Sequence, residues 1–308
     1  MDKAKVLIIG SSGFLGQRLC ETLAGDGHDL VRVGRRPPSS RLISGPYFQI
    51  DVTQREGLET LLDRIPEVQL VIYLAAATPY SPETRDDLTS LLKTNIIGPC
   101  YLLEWLDRAG QHLEGICFAS SVDVYGPVTK SPVDEHCLTR PVTNYGITKL
   151  AGELLFSDYC AKRDMPMAVL RFTQIYGPAD NSPKLVTAMM RDVADGKRPT
   201  IYGDGSDLRD LLFIDDAVAS IKRFVETRQS GTFNVATGQS FSVLQIASQI
   251  MKQFAIDEPP RFLARQKDKV DFVFDTSRLN NDFGFRTTFD LEKGLQKTAQ
   301  WLKHEHGV

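Results

Sequence analysis

The first half of the chain repeats one pattern: a short, continuous apolar run, then a loop, then a segment with helical periodicity. Continuous apolar runs predict strands buried on both faces, and apolar residues spaced three and four apart predict amphipathic helices. The predicted strands are Val6–Ile9, Leu30–Val33, Phe48–Ile50, Leu70–Leu74, Ile116–Ala119 and Met167–Phe172. The predicted helices are Phe14–Ala24, Arg55–Arg64, Pro82–Ala109 and Asn144–Lys162. This alternation indicates an α/β fold with a doubly wound parallel sheet.

The second half is less regular, because after Tyr176 the apolar runs shorten and Gly and Pro become denser. Its predicted strands are Pro199–Tyr202, Phe272–Phe274 and Thr232–Ala236, and its predicted helices are Asp215–Glu226, Val243–Phe254 and Leu291–His304. We expect a larger domain made of residues 1–173, to which 211–237 return. Residues 174–210 and 238–308 are expected to form a smaller mixed α/β domain.

Composition and charge exclude several classes of protein. The 308 residues are 42% hydrophobic and 24% charged, which is typical of soluble globular proteins. A net charge of −3 without a long basic run gives no basic surface for nucleic acid or an anionic membrane. No apolar run approaches the roughly 18 residues that span a bilayer, and the start resembles no export signal, so we expect a cytoplasmic protein. The five cysteines are odd in number and never spaced Cys-x-x-Cys, which indicates neither a disulfide framework nor a metal site.

A glycine-rich turn follows the first predicted strand directly: Gly10-Ser-Ser-Gly13-Phe14-Leu15-Gly16. Glycines at these positions let the backbone approach a pyrophosphate, and the helix that begins here offers free amides and the positive end of its dipole. A glycine turn at a sheet edge is the structural alternative. The strand–loop–helix context favours a Rossmann-like dinucleotide site.

The residue that ends the second strand selects between the two nicotinamide cofactors. An acidic residue there accepts from the free 2′-hydroxyl of NAD, whereas arginine pairs with the 2′-phosphate of NADP. This chain has Gly34 followed by Arg35 and Arg36, which favours NADP. Solvated loop arginines are the alternative, and NAD stays open.

Residues that follow the third and fourth strands are further candidates for the cofactor site. They are Asp51 and Val52 after the third strand, and Leu74, Ala75 and Ala76 at the end of the fourth. Small side chains at the carboxyl end of a strand leave room for a cofactor that lies across the sheet.

Tyr145 stands four residues before Lys149, at the start of a predicted helix. Residues at i and i+4 share one helix face, so an ammonium group can lie beside a phenol and favour its ionised form. Such a pair suits proton transfer. A solvated helix face is the alternative.

Together these motifs resemble those of the extended short-chain dehydrogenase/reductases, and more narrowly the NAD-dependent epimerase/dehydratase branch that modifies nucleotide sugars. The motifs that carry the resemblance are GSSGFLG (10–16), Asp51-Val52, LAAA (74–77), SSVDVYG (120–126) and YGITK (145–149). They occur in the family's order, and the likeness runs from about residue 5 to the C-terminal helix.

The resemblance implies a catalytic role for four residues. Tyr145 would exchange a proton with a sugar hydroxyl or ketone, and Lys149 would bind the nicotinamide ribose. Ser121 would hydrogen-bond the same sugar oxygen, with Ser120 as the neighbouring alternative. Asp123 stands where dehydratases keep a glutamate base, so it is either a shortened base or a loop carboxylate.

The resemblance has two further implications, one for the acid that a dehydratase uses and one for the cofactor site. Val122 occupies the position of the first dehydratase acid, which disfavours dehydration. Asn95 is expected to belong to the cofactor site.

The resemblance also implies a nucleotide-sugar site in the second half. Arg209 and Arg265 would contact the diphosphate, Asp268 would lie near the nucleoside ribose, and Gln174 replaces an asparagine that touches the sugar diphosphate. A structural salt bridge to Asp210 or Asp268 is the alternative for each arginine. The family's paired helices, here Pro82–Ala109 and Asn144–Lys162, often form a dimer, so we expect a homodimer; their apolar positions could equally be core.

These expectations lead to three functional hypotheses. The first is an NAD(P)-dependent epimerase that acts at a sugar carbon, most simply C4, of a nucleoside-diphosphate sugar. The second is an NADPH-dependent reductase of nucleotide 4-keto-sugars. The third, from another class, is a non-catalytic dinucleotide-binding sensor, which has no reason to keep Ser121, Tyr145 and Lys149 together.

Overall fold

The computed structural model describes residues 3–37, 43, 45–61, 64–65, 67–80, 87–127, 130–266 and 268–306. The chain divides into two compact units. The first comprises Met1–Pro127, Leu138–Phe172 and Ala217–Phe233, and the second comprises Val128–Cys137, Thr173–Asp216 and Asn234–Val308. Residues 128–137, 173, 211–216 and 234–237, which were expected in the larger domain, lie in the second unit. The assignment of cofactor and substrate to separate domains stays a prediction.

Twelve strands lie in the described part of the chain. They are β1 Lys5–Ile9, β2 Asp29–Gly34, β3 Tyr47–Gln49, β4 Leu70–Tyr73, β5 Gly115–Ser121, β6 Met167–Phe172, β7 Gln174–Tyr176, β8 Thr200–Tyr202, β9 Leu208–Phe213, β10 Gly231–Val235, β11 Ser240–Ser242 and β12 Arg261–Leu263. Seven form one sheet in the order β10-β6-β5-β4-β1-β2-β3. Within this sheet, the pairs that join strands β1 to β6 are all parallel. This confirms the predicted doubly wound α/β fold, in which the strand order reverses between β1 and β4.

Ten α-helices lie in the same described part. They are α1 Phe14–Gly25, α2 Arg55–Glu59, α3 Leu88–Leu92, α4 Gly98–Arg108, α5 Asn144–Ala161, α6 Leu185–Ala194, α7 Ile214–Thr227, α8 Val243–Gln253, α9 Ser277–Asn281 and α10 Leu291–His306.

The long predicted helix Pro82–Ala109 is not continuous. Residues 82–86 lie outside the described residues, and α3 begins after Asp87, whose side chain caps it by accepting from the Thr89 amide. One π-helical turn, Lys93–Ile97, then separates α3 from α4. A π-turn inserts an extra residue into a helix and often marks a functional position.

Two other predictions are corrected. The helix expected over Arg55–Arg64 ends at Glu59. The strand expected over Phe272–Phe274 is wrong, because its backbone groups bond to two different segments, at Leu208 and at Val133, instead of one partner strand. The Phe272 amide donates to Leu208, the Val273 carbonyl accepts from Val133, and Phe274 forms only an isolated bridge.

An aromatic cluster seats α5 against the sheet of the first unit. The rings of Tyr73 on β4, Phe118 on β5 and Phe156 on α5 have centroids 5.0 to 6.0 Å apart, which is the range of favourable aromatic pairs. Gly152 lies on the same helix, and a Cβ built there would be 2.6 Å from the Phe118 ring. The close approach that this glycine permits fixes the height of α5 above β5.

The second unit contains two small sheets, with strand orders β11-β9-β7 and β12-β8. A buried carboxylate at its centre, Asp210 on β9, accepts hydrogen bonds of 2.9 Å from the amides of Thr237 and Gly238. Burial raises the pKa of Asp210 to about 6, although these amide contacts oppose the rise. Asp216 holds Thr288 and Phe289 in the same way. Buried carboxylates thus anchor the loops of this unit.

Candidate active site

The glycine turn between β1 and α1 is as tight as the sequence indicates. Gly10 has a φ of +90°, and a Cβ there would lie 2.6 Å from the Ala75 amide nitrogen. A Cβ on Gly16 would lie 2.2 Å from the Gly10 carbonyl oxygen. Gly13 is the N-cap residue of α1 and brings no side chain to cap it, which leaves the first helical amides, at Phe14 and Leu15, available to an anion. The turn therefore fits a dinucleotide pyrophosphate.

The end of β2 is crowded by two hydroxyl groups. A Cβ on Gly34 would lie 2.5 Å from the Ser12 hydroxyl oxygen and 2.8 Å from that of Tyr47. The Tyr47 hydroxyl donates to the Arg36 carbonyl. Both Arg35 and Arg36 have exposed side chains. An acidic residue at position 34 does not fit this arrangement without movement of Ser12 or Tyr47.

The other cofactor candidates follow neighbouring strands. Asp51 comes after β3 and accepts from the Thr53 amide at 2.9 Å. Val52 is buried and packs near Gly98 at the start of α4. The Leu74 amide continues the β4 ladder by donating to Ile9 at 2.8 Å.

Ala75 and Ala76 follow Leu74 and are partly buried. Ala75 lies against Gly10. These small residues therefore border the glycine turn.

Asn95 occupies the π-turn and is buried. Its carboxamide accepts from the Ala77 amide at 2.8 Å and donates to the Ala77 carbonyl at 3.0 Å. It also donates to the Thr148 hydroxyl on α5 at 2.9 Å. Both amide hydrogens are thus used within the protein, and Asn95 braces α5 against the loop after β4. Any role of Asn95 in the cofactor site is therefore indirect.

Ser121 and Tyr145 lie together, although they belong to different elements. Ser121 ends β5 and accepts from the Asp123 amide at 3.2 Å. Tyr145 lies in the first turn of α5, which Thr143 caps by accepting from the Gly146 amide at 3.0 Å. The Ser121 hydroxyl lies near the Tyr145 phenol and favours its ionised form. A strand end and a helix start thus bring the two predicted residues to one point.

The pKa of Tyr145 is raised above its ordinary value, not lowered as expected. Burial of the phenol is the main cause, and the Asp123 carboxylate adds to it, while the hydrogen bond from Ser121 works in the opposite direction. Asp123 therefore acts on Tyr145 by its charge. Val122, the residue before it, is buried and apolar.

Lys149 is buried, with 3% of its surface exposed, one turn after Tyr145. Its ammonium nitrogen lies 4.3 Å from the centroid of the Phe118 ring. Burial lowers the pKa of Lys149 to about 7, and the Glu153 carboxylate partly opposes this shift. The amine is therefore poised near neutrality, where small changes in its surroundings alter its charge.

Sequence reasoning missed a buried network behind these residues. Arg171 on β6 forms a two-pronged ion pair with Glu153 on α5, with N–O distances of 3.0 and 2.8 Å. Ser120 donates to Glu153, and Arg171 donates to the Tyr125 hydroxyl at 2.9 Å. The Ser120 hydroxyl is committed to Glu153, and Ser121 is the serine that acts on the pKa of Tyr145. The available signal was the i+4 spacing of Lys149 and Glu153.

The second unit contains the two arginines expected to contact a diphosphate. Arg265 pairs with Asp207 at 2.9 Å and with Asp204 at 2.8 Å. Arg209 lies 3.8 Å from Asp207, and its guanidinium lies 5.2 Å from the centroid of the Phe272 ring. Asp207 and Asp204 are therefore the carboxylates near these arginines. The salt bridges expected as the alternative are therefore present, but their partners are Asp207 and Asp204, not Asp210 and Asp268.

The remaining substrate candidates also belong to the second unit. Gln174 begins β7, is partly buried and pairs with Leu211 of β9. Asp268 is exposed.

Other features of the described residues limit the chemistry. Among the residues with described positions, no group of three or more His, Cys, Asp or Glu side chains could hold a metal ion. All five cysteines are free thiols. None of the helices in the described ranges is long and apolar enough to cross a bilayer.

Comparison with known proteins assigns the chain to a family. The model of the "NAD dependent epimerase/dehydratase family" matches residues 6–236. UDP-glucose 4-epimerase of Mycolicibacterium smegmatis is 26% identical, over 98% of this chain and 99% of its own. dTDP-glucose 4,6-dehydratase of Streptomyces griseus is 24% identical, over 98% of this chain and 94% of its own.

Solved structures agree with this match. UDP-glucuronic acid 4-epimerase from Bacillus cereus, solved with UDP-glucuronic acid and NAD, is 25% identical and superposes with a TM-score of 0.85 over 98% of this chain and 99% of its own. With a family match that spans most of the chain and a site that holds the expected Ser, Tyr and Lys, the protein belongs to the NAD-dependent epimerase/dehydratase family of extended short-chain dehydrogenase/reductase enzymes.

Proposed function

We propose that this protein is a nucleotide-sugar 4-epimerase that depends on NAD or NADP. The observation that carries the proposal is the placement of Ser121 near the Tyr145 phenol, with Lys149 buried one turn along the same helix. A sensor that only binds a dinucleotide needs the glycine turn but not this arrangement.

In the proposed reaction, Tyr145 exchanges a proton with the oxygen on C4, and Ser121 holds that oxygen by a second hydrogen bond. Lys149, when protonated, stabilises the phenolate that Tyr145 must form, which opposes the effect of burial. A bound nicotinamide would supply the hydride chemistry at C4. The glycine turn would hold the pyrophosphate of that cofactor.

The diphosphate of the sugar nucleotide is assigned to Arg209 and Arg265 in the second unit. Two guanidinium groups match the oxygens of a diphosphate through charge-assisted hydrogen bonds. Gln174 is proposed to contact the same group and Asp268 the nucleoside ribose. The UDP-sugar in the B. cereus enzyme supports this class of substrate.

Dehydration is disfavoured by the residue after Ser121. Protonation of a leaving hydroxyl needs an acid at that position, and the apolar side chain of Val122 is buried there. Asp123 remains available as a base, or as the carboxylate that sets the pKa of Tyr145.

A second candidate, an NADPH-dependent 4-ketoreductase, is favoured by the end of β2. The chain has Gly34 where an acidic residue would bind the 2′-hydroxyl of NAD, and the adjacent, exposed Arg35 and Arg36 suit a 2′-phosphate. We therefore propose NADP as the preferred cofactor. With such a site, we expect the reductase to release NADP after each turnover.

We also propose a homodimer. Large apolar side chains are exposed on α3 and the π-turn, at Leu88, Leu92 and Ile97, and on α5, at Ile147 and Leu154. A second copy of the chain that covers these helices would bury them. Light scattering of the pure protein tests this directly, because a monomeric mass would contradict it.

Two measurements test the proposed function. The first incubates the protein with UDP- and dTDP-sugars and analyses the products by chromatography. Formation of the C4 epimer of one of them supports the proposal, and no product with either added cofactor contradicts it.

The second measurement, mass spectrometry of nucleotides released on denaturation, separates the two candidates. Retained NAD favours the epimerase. An empty protein that binds NADPH more tightly than NADH favours the reductase.

A further inference from the structure

The ion pair between Glu153 and Arg171 joins α5 to β6, and a hydrogen bond from Ser120 joins it to β5. Glu153 is on α5, the helix of Tyr145 and Lys149, and Arg171 is on β6, the neighbour of β5 in the sheet. The exposed fractions of the two side chains are 6% and 8%, so this is a buried pair. Removal of one partner of a buried pair leaves an uncompensated charge in the interior.

The same pair holds both ends of the segment that bears Ser121 and Asp123. At the start of the segment, Ser120 donates to Glu153. At its end, the Tyr125 hydroxyl accepts from Arg171 at 2.9 Å. Because both ends are fixed to one buried pair, the position of Ser121 relative to α5 depends on it.

Glu153 also lies one turn beyond Lys149 on α5, so the two side chains share a helix face. Both are buried, and the Lys149 ammonium lies over the Phe118 ring, an apolar surface that only weakly replaces water. The charged and titratable residues on elements packed against α5 are Lys93, Cys100, Tyr101, Glu104, Asp107, Arg108, Cys117, Asp123 and Arg171. Glu153 is the group that raises the pKa of Lys149.

We propose that the Glu153–Arg171 pair is a positioning device for this active site: it fixes the segment Ser120–Tyr125, and its carboxylate favours the charged form of Lys149. Glu153, Arg171, Ser120 and Tyr125 act through Ser121 and Lys149 and do not contact substrate. The inference rests on the proposed roles of Ser121 and Lys149 in the reaction, whereas its electrostatic part concerns the protein alone.

The test is an NMR titration of the Lys149 side chain in protein labelled at lysine, with the signal assigned from Lys149→Met. In Glu153→Gln the Arg171 charge stays without its partner, so we expect the midpoint of the Lys149 titration to fall by roughly one pH unit or more. In the double variant Glu153→Gln/Arg171→Met both charges are gone, and we expect the midpoint to return towards that of the parent protein.

Controls separate this electrostatic effect from loss of packing. Glu114→Gln breaks a surface Arg–Glu pair of the same unit, with Arg228, and should leave the Lys149 midpoint unchanged. If Glu153→Gln does not fold, Ser120→Ala, which removes only the hydroxyl that donates to Glu153, provides the second measurement, with a smaller shift expected. An unchanged midpoint in the folded variants, or a double variant that shifts further than the single one, would overturn the proposal.

The positioning part has its own readout in turnover. Tyr125→Phe releases one end of the segment without changing a charge, and we expect kcat to fall while the Lys149 midpoint stays in place. Full activity of Tyr125→Phe would overturn this part. If the parent protein turned over no nucleotide sugar, the proposed function would fail, yet the Lys149 titration would still decide the electrostatic part.

Discussion

Ser121 at the end of β5 lies near Tyr145 in the first turn of α5, and its hydroxyl lowers the pKa of the phenol. Two fixed ends create this contact. The β5 ladder carries Ser121 to the carboxyl edge of the sheet, and the Thr143 cap sets where α5 begins. The pair is thus built on rigid elements, as a proton-transfer site requires.

The first prediction concerns that contact. Tyr145→Phe removes the phenolic proton and should lower kcat by at least roughly 100-fold, the usual contribution of a positioned acid or base. Ser121→Ala should lower kcat less, because the phenol remains. Binding of the nicotinamide cofactor, followed by fluorescence titration, should change little in either variant. Equal turnover of Tyr145→Phe and the parent protein would refute the role of Tyr145.

The second prediction follows from the burial of Lys149. The pKa of Lys149 falls from its ordinary value of 10.5 to about 7 on folding, so between these values the unfolded chain binds the proton and the folded protein does not. The free energy of unfolding therefore gains a contribution from Lys149 as the pH rises through this range, and this contribution is absent below about pH 7.

This is measured by denaturant unfolding at pH 6 and pH 9. Lys149→Met should be more stable than the parent protein at pH 6, with a smaller difference at pH 9. Lys162→Met, which changes an exposed lysine just after the same helix, is the control. A difference that does not depend on pH would show that Lys149 carries no shifted pKa.

The third prediction concerns the choice of cofactor. Arg36→Ser and Arg35→Ser should each weaken NADPH binding by roughly 10-fold or more, the value of a charge-assisted hydrogen bond, with little effect on NADH. Arg18→Ser, on the exposed face of α1, is the matched control. Isothermal titration calorimetry with both cofactors measures the ratio of their dissociation constants. A parallel loss for NADH and NADPH would argue against a 2′-phosphate site.

The fourth prediction tests the seat of α5. Gly152→Ala places a Cβ 2.6 Å from the Phe118 ring and should destabilise the protein by roughly 1–3 kcal/mol, the cost of overpacking. Gly25→Ala, at the end of α1, meets nothing within 4 Å and should be neutral or slightly stabilising. Chemical denaturation compares the two. Equal changes in the free energy of unfolding of the two variants would mean that α5 is not held at a fixed height above β5.

The fifth prediction concerns the substrate. Arg209→Gln and Arg265→Gln should raise KM for the nucleotide sugar by roughly 10-fold or more and leave cofactor binding unchanged. Arg198→Gln changes an exposed arginine of the same unit, paired with Glu258, and should have no effect. An unchanged KM in both test variants would show that Arg209 and Arg265 do not bind the diphosphate.

Local patterns predicted the sheet and located the candidate residues Tyr145 and Lys149, because each depends on short-range sequence. Continuous apolar runs gave six strands of the large sheet, and the Tyr-x-x-x-Lys spacing located Tyr145 and Lys149. The π-turn at Lys93–Ile97 could not be foreseen, since it depends on Asn95 reaching both Ala77 and Thr148. The direction of the Tyr145 pKa shift was also missed, because burial of the phenol is a tertiary property.

Contacts between residues that are distant in sequence could not be predicted either. Asp207 stands beside the two arginines, but nothing in its local sequence distinguishes it from Asp210, which instead anchors the loop at Thr237. Arg171 appears in the sequence as one polar residue in an apolar strand. Only the fold brings it to Glu153.

The most direct test of the central claim is proton NMR of a nucleotide sugar incubated with the parent protein and with Tyr145→Phe, each supplied with NAD and with NADP. Inversion at C4 is read from the coupling between H3 and H4. The account predicts inversion of at least one UDP- or dTDP-sugar by the parent protein and none by Tyr145→Phe. Inversion by both proteins at the same rate would contradict the account, and so would unchanged C4 in every sample.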